Sequence, residues 1–157
     1  MYSVKGITIL LAAVSLFTGC SDQSATVFSA LGPESTGIQF SNDLHYTEDY
    51  NPYTYRNFYN GGGVAVGDIN NDGLQDLYFA GNLMPNKLYL NKGGLQFEDI
   101  TEQAGIACAD VWTSGVNFVD INGDGWLDIY VCKAGKPGGP NRHNELFINQ
   151  GDLTFTE

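Results

Sequence analysis

GGGVAVGDINNDGLQDLYFA occupies residues 61–80 and places four oxygen-bearing side chains in one loop between two apolar runs. We interpret the apolar runs as β-strands. Like charges this close repel one another unless a cation lies among them, and Ca²⁺ prefers several oxygen ligands held by a sharply turned chain. The loop residues are Asp68, Asn70, Asp72 and Asp76 at positions 1, 3, 5 and 9, with Gly73 at position 6. The sequence therefore predicts a calcium site.

A second copy of this pattern begins 52 residues later, in TSGVNFVDINGDGWLDIYVC at residues 113–132. The loop positions there hold Asp120, Asn122, Asp124, Gly125 and Asp128. NKLYLNKG from Asn86 also recurs as NELFINQG from Asn144, so each unit predicts four short antiparallel strands. Repeating units of four strands are typical of propeller blades. We predict an all-β fold, an incomplete β-propeller of about two four-stranded antiparallel blades.

Other metal loops fit the sequence less well. An EF-hand loop requires an acidic residue at position 12, where this chain has Phe79 and Val131 inside predicted strands. Mg²⁺ remains an alternative ion, although it prefers fewer protein ligands and more water. An ordinary Asp-Gly turn does not explain why Asp76 and Asp128 recur beside a strand. We expect about one structural Ca²⁺ in each blade.

The first 19 residues resemble an export signal. Lys5 precedes a largely apolar run of eleven residues, Ile7–Phe17, which is too short to span a bilayer. The sequence from Leu16 to Cys20, LFTGC, resembles the bacterial lipobox, although Phe17 departs from its usual leucine. The resemblance implies cleavage before Cys20 and lipidation of that cysteine. An ordinary secreted protein with an incidental Cys20 is the alternative.

The rest of the chain divides into four predicted segments. These are a tether at 20–36, an N-terminal strand and aromatic segment at 37–60, a first blade at 61–112 and a second, truncated blade at 113–157. We expect a short strand at Gly37–Phe40. The aromatic residues that follow either stack on sugar rings or a partner, or pack against the first sheet, and we favour packing. Because the second blade stops where the first continues, we expect an N-terminal fragment of a longer protein.

These motifs resemble the FG-GAP/VCBS-repeat family of integrin-like β-propellers. The resemblance extends over GGGVAVGDINNDGLQDLYFAGN and NKLYLNKGGLQFEDITEQAGI, and covers roughly residues 37–157. It is similar in particular to bacterial lipoproteins related to cartilage acidic protein, which often carry an ASPIC/UnbV domain. The resemblance implies structural Ca²⁺ held by the loop side chains, with main-chain carbonyls of Leu74 and Trp126 as further ligands. Asn70 and Asn122 replace the usual aspartates, which implies weaker affinity.

Composition limits the functions that the chain can have. The formal net charge of −11 argues against nucleic acid, which binds through Lys and Arg. No acid/base pair or nucleophile motif is evident, so we expect no enzyme in this part. We predict a surface scaffold in the cell envelope or outer membrane, surface-exposed or periplasmic, that binds protein or polysaccharide and contacts the membrane through its lipid. The alternatives are a structural component of a nutrient-uptake assembly and a non-catalytic propeller part of a larger enzyme. A disulfide between Cys108 and Cys132 stays open.

Overall fold

The structure is a computed structural model that describes residues 27–135, 139 and 141–157. The chain divides into two compact units, Met1–Ala30 and Leu31–Glu157, and every element below belongs to the second. The predicted signal at residues 1–19 and the predicted lipidation site Cys20 lie outside the described residues. Within the part of the chain that is described, no helix has the length and apolar character to cross a membrane.

Two four-stranded antiparallel sheets form the fold, each with its strands in chain order. The first contains β1 (Val64–Gly67), β2 (Asp76–Phe79), β3 (Lys87–Asn91) and β4 (Phe97–Asp99). The second contains β5 (Trp112–Val119), β6 (Asp128–Ala134), β7 (Glu145–Asn149) and β8 (Phe155–Thr156). Two short helices, α1 (Pro33–Thr36) and α2 (Thr101–Ala104), precede the two sheets in turn. This architecture confirms the predicted all-β fold, an incomplete β-propeller of about two blades.

Each predicted metal loop connects two paired antiparallel strands. β1 pairs with β2 from Val64–Phe79 to Gly67–Asp76, and the first loop closes this hairpin. The longer pair β5–β6 has the same form, with an irregularity between Thr113 and Gly115. Trp112, which the prediction placed in the first unit, begins β5.

The two sheets pack through different faces. The first sheet contributes Ala65, Tyr78 and Leu88 to the shared core, which the second meets with residues that include Ile129 and Val131. In the repeat, Ala65 and Tyr78 correspond to Asn117 and Tyr130, which are exposed on the far side of the second sheet. The contact therefore joins one face of a sheet to the opposite face of the next, and we call it the head-to-tail interface.

The predicted strand at Gly37–Phe40 is wrong. These residues form no strand, because they cross the face of the first sheet instead of pairing at its edge. The ring of Phe40 stacks on Phe79 with centroids 5.1 Å apart, and the Gln39 N–H donates to the Tyr89 hydroxyl at 3.2 Å. The segment thus covers part of the face that the first sheet does not use in the head-to-tail interface.

The aromatic segment packs on the second sheet, not on the first as expected. Tyr55 and Phe58 are buried against Trp112 in a separate small core. The Tyr55 and Trp112 rings meet edge to face with centroids 4.7 Å apart, and Tyr50 stacks on the same indole at 5.7 Å. Stacked and edge-to-face contacts between aromatic rings stabilise this cluster on the large indole at the start of β5.

Candidate metal centre

The first loop is folded by its own carboxylates. The Asp68 carboxylate accepts the N–H of Asp72 at 3.1 Å and that of Gly73 at 2.7 Å. Gly73 has φ +85°, a conformation in which a side chain is strained. The Asp72 carboxylate accepts the Leu74 N–H at 2.8 Å and the Asn70 amide at 2.9 Å. Three of the predicted side chains therefore face one short turn.

The second loop repeats these contacts at the corresponding positions. Asp120 accepts the N–H of Asp124 at 3.1 Å and that of Gly125 at 3.0 Å. Asp124 accepts the Trp126 N–H and the Asn122 amide, each at 2.8 Å. Two loops with unlike neighbours in the sequence thus take one geometry, so the geometry follows from the shared loop residues.

The ninth loop position is buried and ties the loop to the sheet. Asp76 and Asp128 are both fully buried. Asp76 accepts the N–H of Ile69 at 2.9 Å and that of Asn91, at the end of β3, at 2.8 Å. Asp128 accepts the N–H groups of the corresponding residues, Ile121 at 3.0 Å and Asn149 at 2.9 Å. Burial raises the pKa of the Asp76 carboxyl, the two backbone donors oppose this shift, and nearby Asp72 and Asp68 add to it.

The two loops also contact each other. The Asn71 amide donates to the Gly125 carbonyl at 3.0 Å. The side-chain amide of Asn149, which is 3% exposed, donates to the Ile69 carbonyl of the first loop at 2.9 Å and to the Leu127 carbonyl at 3.0 Å. A continuous chain of hydrogen bonds thus runs from Asp128 through Asn149 and Ile69 to Asp76.

Sequence reasoning missed the part played by these asparagines. Asn91 and Asn149 recur at the same position of NKLYLNKG and NELFINQG, and this recurrence was the available signal. Sequence reasoning also missed the fourth loop position, where Asn71 and Gly123 have φ +58° and +75°. Asn and Gly are the residues that adopt positive φ most readily, so the residue types at this position carried the signal.

The oxygen donors fit a hard cation in number and chemistry. Each Asp68 and Asp120 oxygen accepts N–H groups within the turn, and a carboxylate oxygen has two acceptor sites. A half-turn of the Asn70 amide presents its oxygen where the nitrogen now faces Asp72. The carboxylate oxygens of the loop aspartates, however, do not form a group of three within 4.8 Å of one another. Among the described residues, one group of three acidic or histidine side chains has all its ligand atoms within 4.8 Å, namely His143, Glu145 and Glu157.

The residues at the predicted carbonyl ligands lie beside the β3–β4 and β7–β8 turns. The Trp126 indole lies against Gly151, where an added Cβ would approach the ring at 3.1 Å. Leu74 lies beside Gly93 in the same way, 4.0 Å from the corresponding point. Leu74 and Trp126 thus anchor the loops to the neighbouring turns, and their carbonyls remain predicted ligands.

Comparison with known sequences identifies the repeat. The sequence profile of the FG-GAP-like repeat family matches residues 68–131, which extend from the first loop into β6. Over these residues the chain is similar to FG-GAP-like repeats. The matched residues begin at Asp68 and include both predicted metal loops, so the FG-GAP-like assignment rests on the same residues as the geometry above.

Three curated relatives are similar in sequence to this chain. Cartilage acidic protein 1 of Xenopus tropicalis is 38% identical over 64% of this chain, and that of Homo sapiens is 35% identical over 63%. Integrin alpha-8 of Gallus gallus is 27% identical over 88% of this chain. The chain spans about 15% of the length of each relative.

Cys108 and Cys132 are free thiols. Cys108 donates to the Glu145 carboxylate at 2.9 Å, and Glu145 also pairs with Lys133, whose side chain is 3% exposed. Burial raises the pKa of the Cys108 thiol to about 12, and Glu145 adds to the shift. Burial also raises the Glu145 pKa, but Cys108 and Lys133 outweigh it and hold that pKa below its usual range. The thiol is therefore part of a buried polar cluster.

Proposed function

We propose that this protein is an exported, lipid-anchored scaffold, non-catalytic in this part, that binds protein or polysaccharide through a calcium-stabilised propeller. The supporting observation is the pair of loops with one geometry, each tied to its sheet by a buried aspartate. A binding surface needs rigid support, and a cation among the carboxylates removes their mutual repulsion. The relatives named as an integrin and as cartilage acidic proteins support a scaffold of this kind.

Calcium at the first loop would be held by Asp68, Asn70, Asp72 and Asp76, with the Leu74 carbonyl. At the second loop the corresponding residues are Asp120, Asn122, Asp124, Asp128 and the Trp126 carbonyl. The ion supplies positive charge and fixes the loop conformation, while the chain supplies turns that are already formed by hydrogen bonds. Preformed turns lower the ordering cost of binding.

Calcium titration of the complete gene product by calorimetry tests this function. We expect Asp72→Asn and Asp124→Asn each to remove one site, because each change deletes a carboxylate from a single loop. Glu102→Gln, which removes one charge from an exposed position in α2, is the matched control and retains both sites. If the chain without substitutions binds no calcium, or if all three variants bind alike, the assignment of the loops is wrong.

A further inference from the structure

The chain has only two arginines, and both line one surface pocket. Arg56 comes from the aromatic segment and Arg142 from the connection between β6 and β7. The pocket has a volume of about 390 Å³, and Tyr53 and Tyr55 line it as well. The fold thus brings to one pocket two arginines that are far apart in the sequence.

The local charge of this pocket is opposite to that of the molecule. The protein carries 18 acidic and 7 basic residues, yet no acidic side chain is among the described residues that line the pocket. The described lysines Lys87, Lys92 and Lys133 each pair with an acidic side chain. Within the described part of the chain, Arg56 and Arg142 make no such ion pair. Their charge is therefore available to a ligand.

The part of the aromatic segment that lines the pocket is held by packing and by hydrogen bonds. Tyr55 is buried against Trp112, so its neighbour Arg56 is held at the surface. The Asn51 side chain accepts the N–H of Tyr53 at 2.9 Å and that of Thr54 at 3.1 Å. This turn leaves the Tyr53 ring 99% exposed. An exposed tyrosine beside two arginines that make no ion pair among the described residues offers an apolar face and anion donors at one place.

We propose that this pocket binds an anionic polysaccharide, through a sugar ring that bears a carboxylate or a sulfate. The guanidinium fork matches oxyanions in two-point hydrogen bonds, and the apolar face of a sugar ring packs on an exposed tyrosine. The net negative charge of the protein disfavours anions elsewhere on its surface. The proposal rests on the scaffold function above and names its ligand class.

Binding of three oligosaccharides to the complete gene product tests the site. The probes are an oligogalacturonate, a sulfated oligosaccharide and neutral maltoheptaose, measured by calorimetry at fixed low salt. We expect at least one anionic probe to bind and maltoheptaose to bind at least tenfold more weakly.

Arg56→Gln and Arg142→Gln should each raise the Kd of the anionic probe about tenfold, which is the loss of about 1.4 kcal/mol. Lys92→Gln, which removes the same charge from a position outside the pocket, should leave Kd within about twofold. Tyr53→Ala should weaken binding without a change in melting temperature, because its ring contacts solvent.

The outcomes separate this site from the scaffold function. Equal binding of neutral and anionic probes, or unchanged affinity in both Arg56→Gln and Arg142→Gln, overturns the arginine site and leaves a polysaccharide scaffold standing. If none of the probes binds, the site is also overturned. Calcium-dependent melting of the same sample then shows independently whether the calcium assignment survives. A preference between carboxylated and sulfated probes identifies which oxyanion the site takes.

Discussion

Replacement of Asn149 by alanine should destabilise the protein more than the same change at Asn91, its counterpart in the first sheet. Both side chains accept an N–H from the following turn, Gly151 or Gly93, at 2.9 Å. Both also donate within their own sheet. Only Asn149 makes a further bond, to the Ile69 carbonyl of the neighbouring sheet. The difference between the two variants therefore measures the bond between the sheets.

The magnitude follows from the bonds that each variant loses. A typical hydrogen bond contributes about 1 kcal/mol, and a buried carbonyl left without a donor costs about 1–3 kcal/mol. Asn91→Ala removes two bonds near the surface, and we expect a loss of about 1–2 kcal/mol. Asn149→Ala removes the two equivalent bonds and also leaves the buried Ile69 carbonyl without a donor, so we expect a loss of about 2–5 kcal/mol.

Urea unfolding of the complete gene product in the absence of calcium gives both values, since this comparison does not depend on the metal. A circular dichroism signal reports the transition, and the dependence of stability on urea should be the same for both variants. If Asn91→Ala and Asn149→Ala lose the same free energy, the Ile69 bond contributes nothing and the connection between the loops is not energetic. Asn71→Gly then isolates the exposed contact to Gly125, since Gly is the residue that the second loop has at that position.

Three further predictions concern the interface, the buried ion pair and the anchor. Gly63→Ala should destabilise the protein by about 1–3 kcal/mol, because the added Cβ would lie 3.0 Å from the Gly115 backbone. Gly115→Ala should cost less, because its added Cβ would lie 3.8 Å from the Cys132 side chain. Equal melting temperatures for the two variants would contradict the close approach at Gly63. The pKa of Glu145 is low, so its contribution to stability is present above the ordinary glutamate pKa and is lost as pH falls through the folded-state value. Glu145→Gln should therefore reduce the dependence of the free energy of unfolding on pH below about pH 4. An unchanged dependence on pH refutes this prediction. Cys20→Ser should move the protein from the membrane fraction to the soluble fraction, and Cys132→Ser should not; a Cys20→Ser variant that stays membrane-bound rules out the lipobox.

Local repetition made the fold predictable. Two copies of one pattern, with loop residues at fixed spacing and apolar strands beside them, were enough to predict two four-stranded antiparallel units, because strand alternation and loop chemistry are short-range properties. The exclusion of an EF-hand also holds, since Phe79 and Val131 lie in β2 and β6.

Contacts between distant residues were not predictable in the same way. The strand expected at Gly37–Phe40 depended on local apolar character, but a strand also needs a free edge, and this segment lies across a sheet face. The site shows the same limit. The residue types identified the loops, whereas the bond from Asn149 to Ile69 depends on how one sheet lies against the next. The pairing of Arg56 with Arg142 likewise required the folded chain.

The head-to-tail interface gives the repeat a polarity. A contact that joins unlike faces can be repeated in one direction without limit, and it ends only when a ring closes or a cap covers a face. Phe40 already shields Phe79 on one terminal face, while Tyr130 on the opposite face is partly open to solvent. Addition of a further repeat is therefore unobstructed on the Tyr130 side, and on the other side it must displace or accommodate the N-terminal segment. The two terminal faces of the stack are therefore not equivalent.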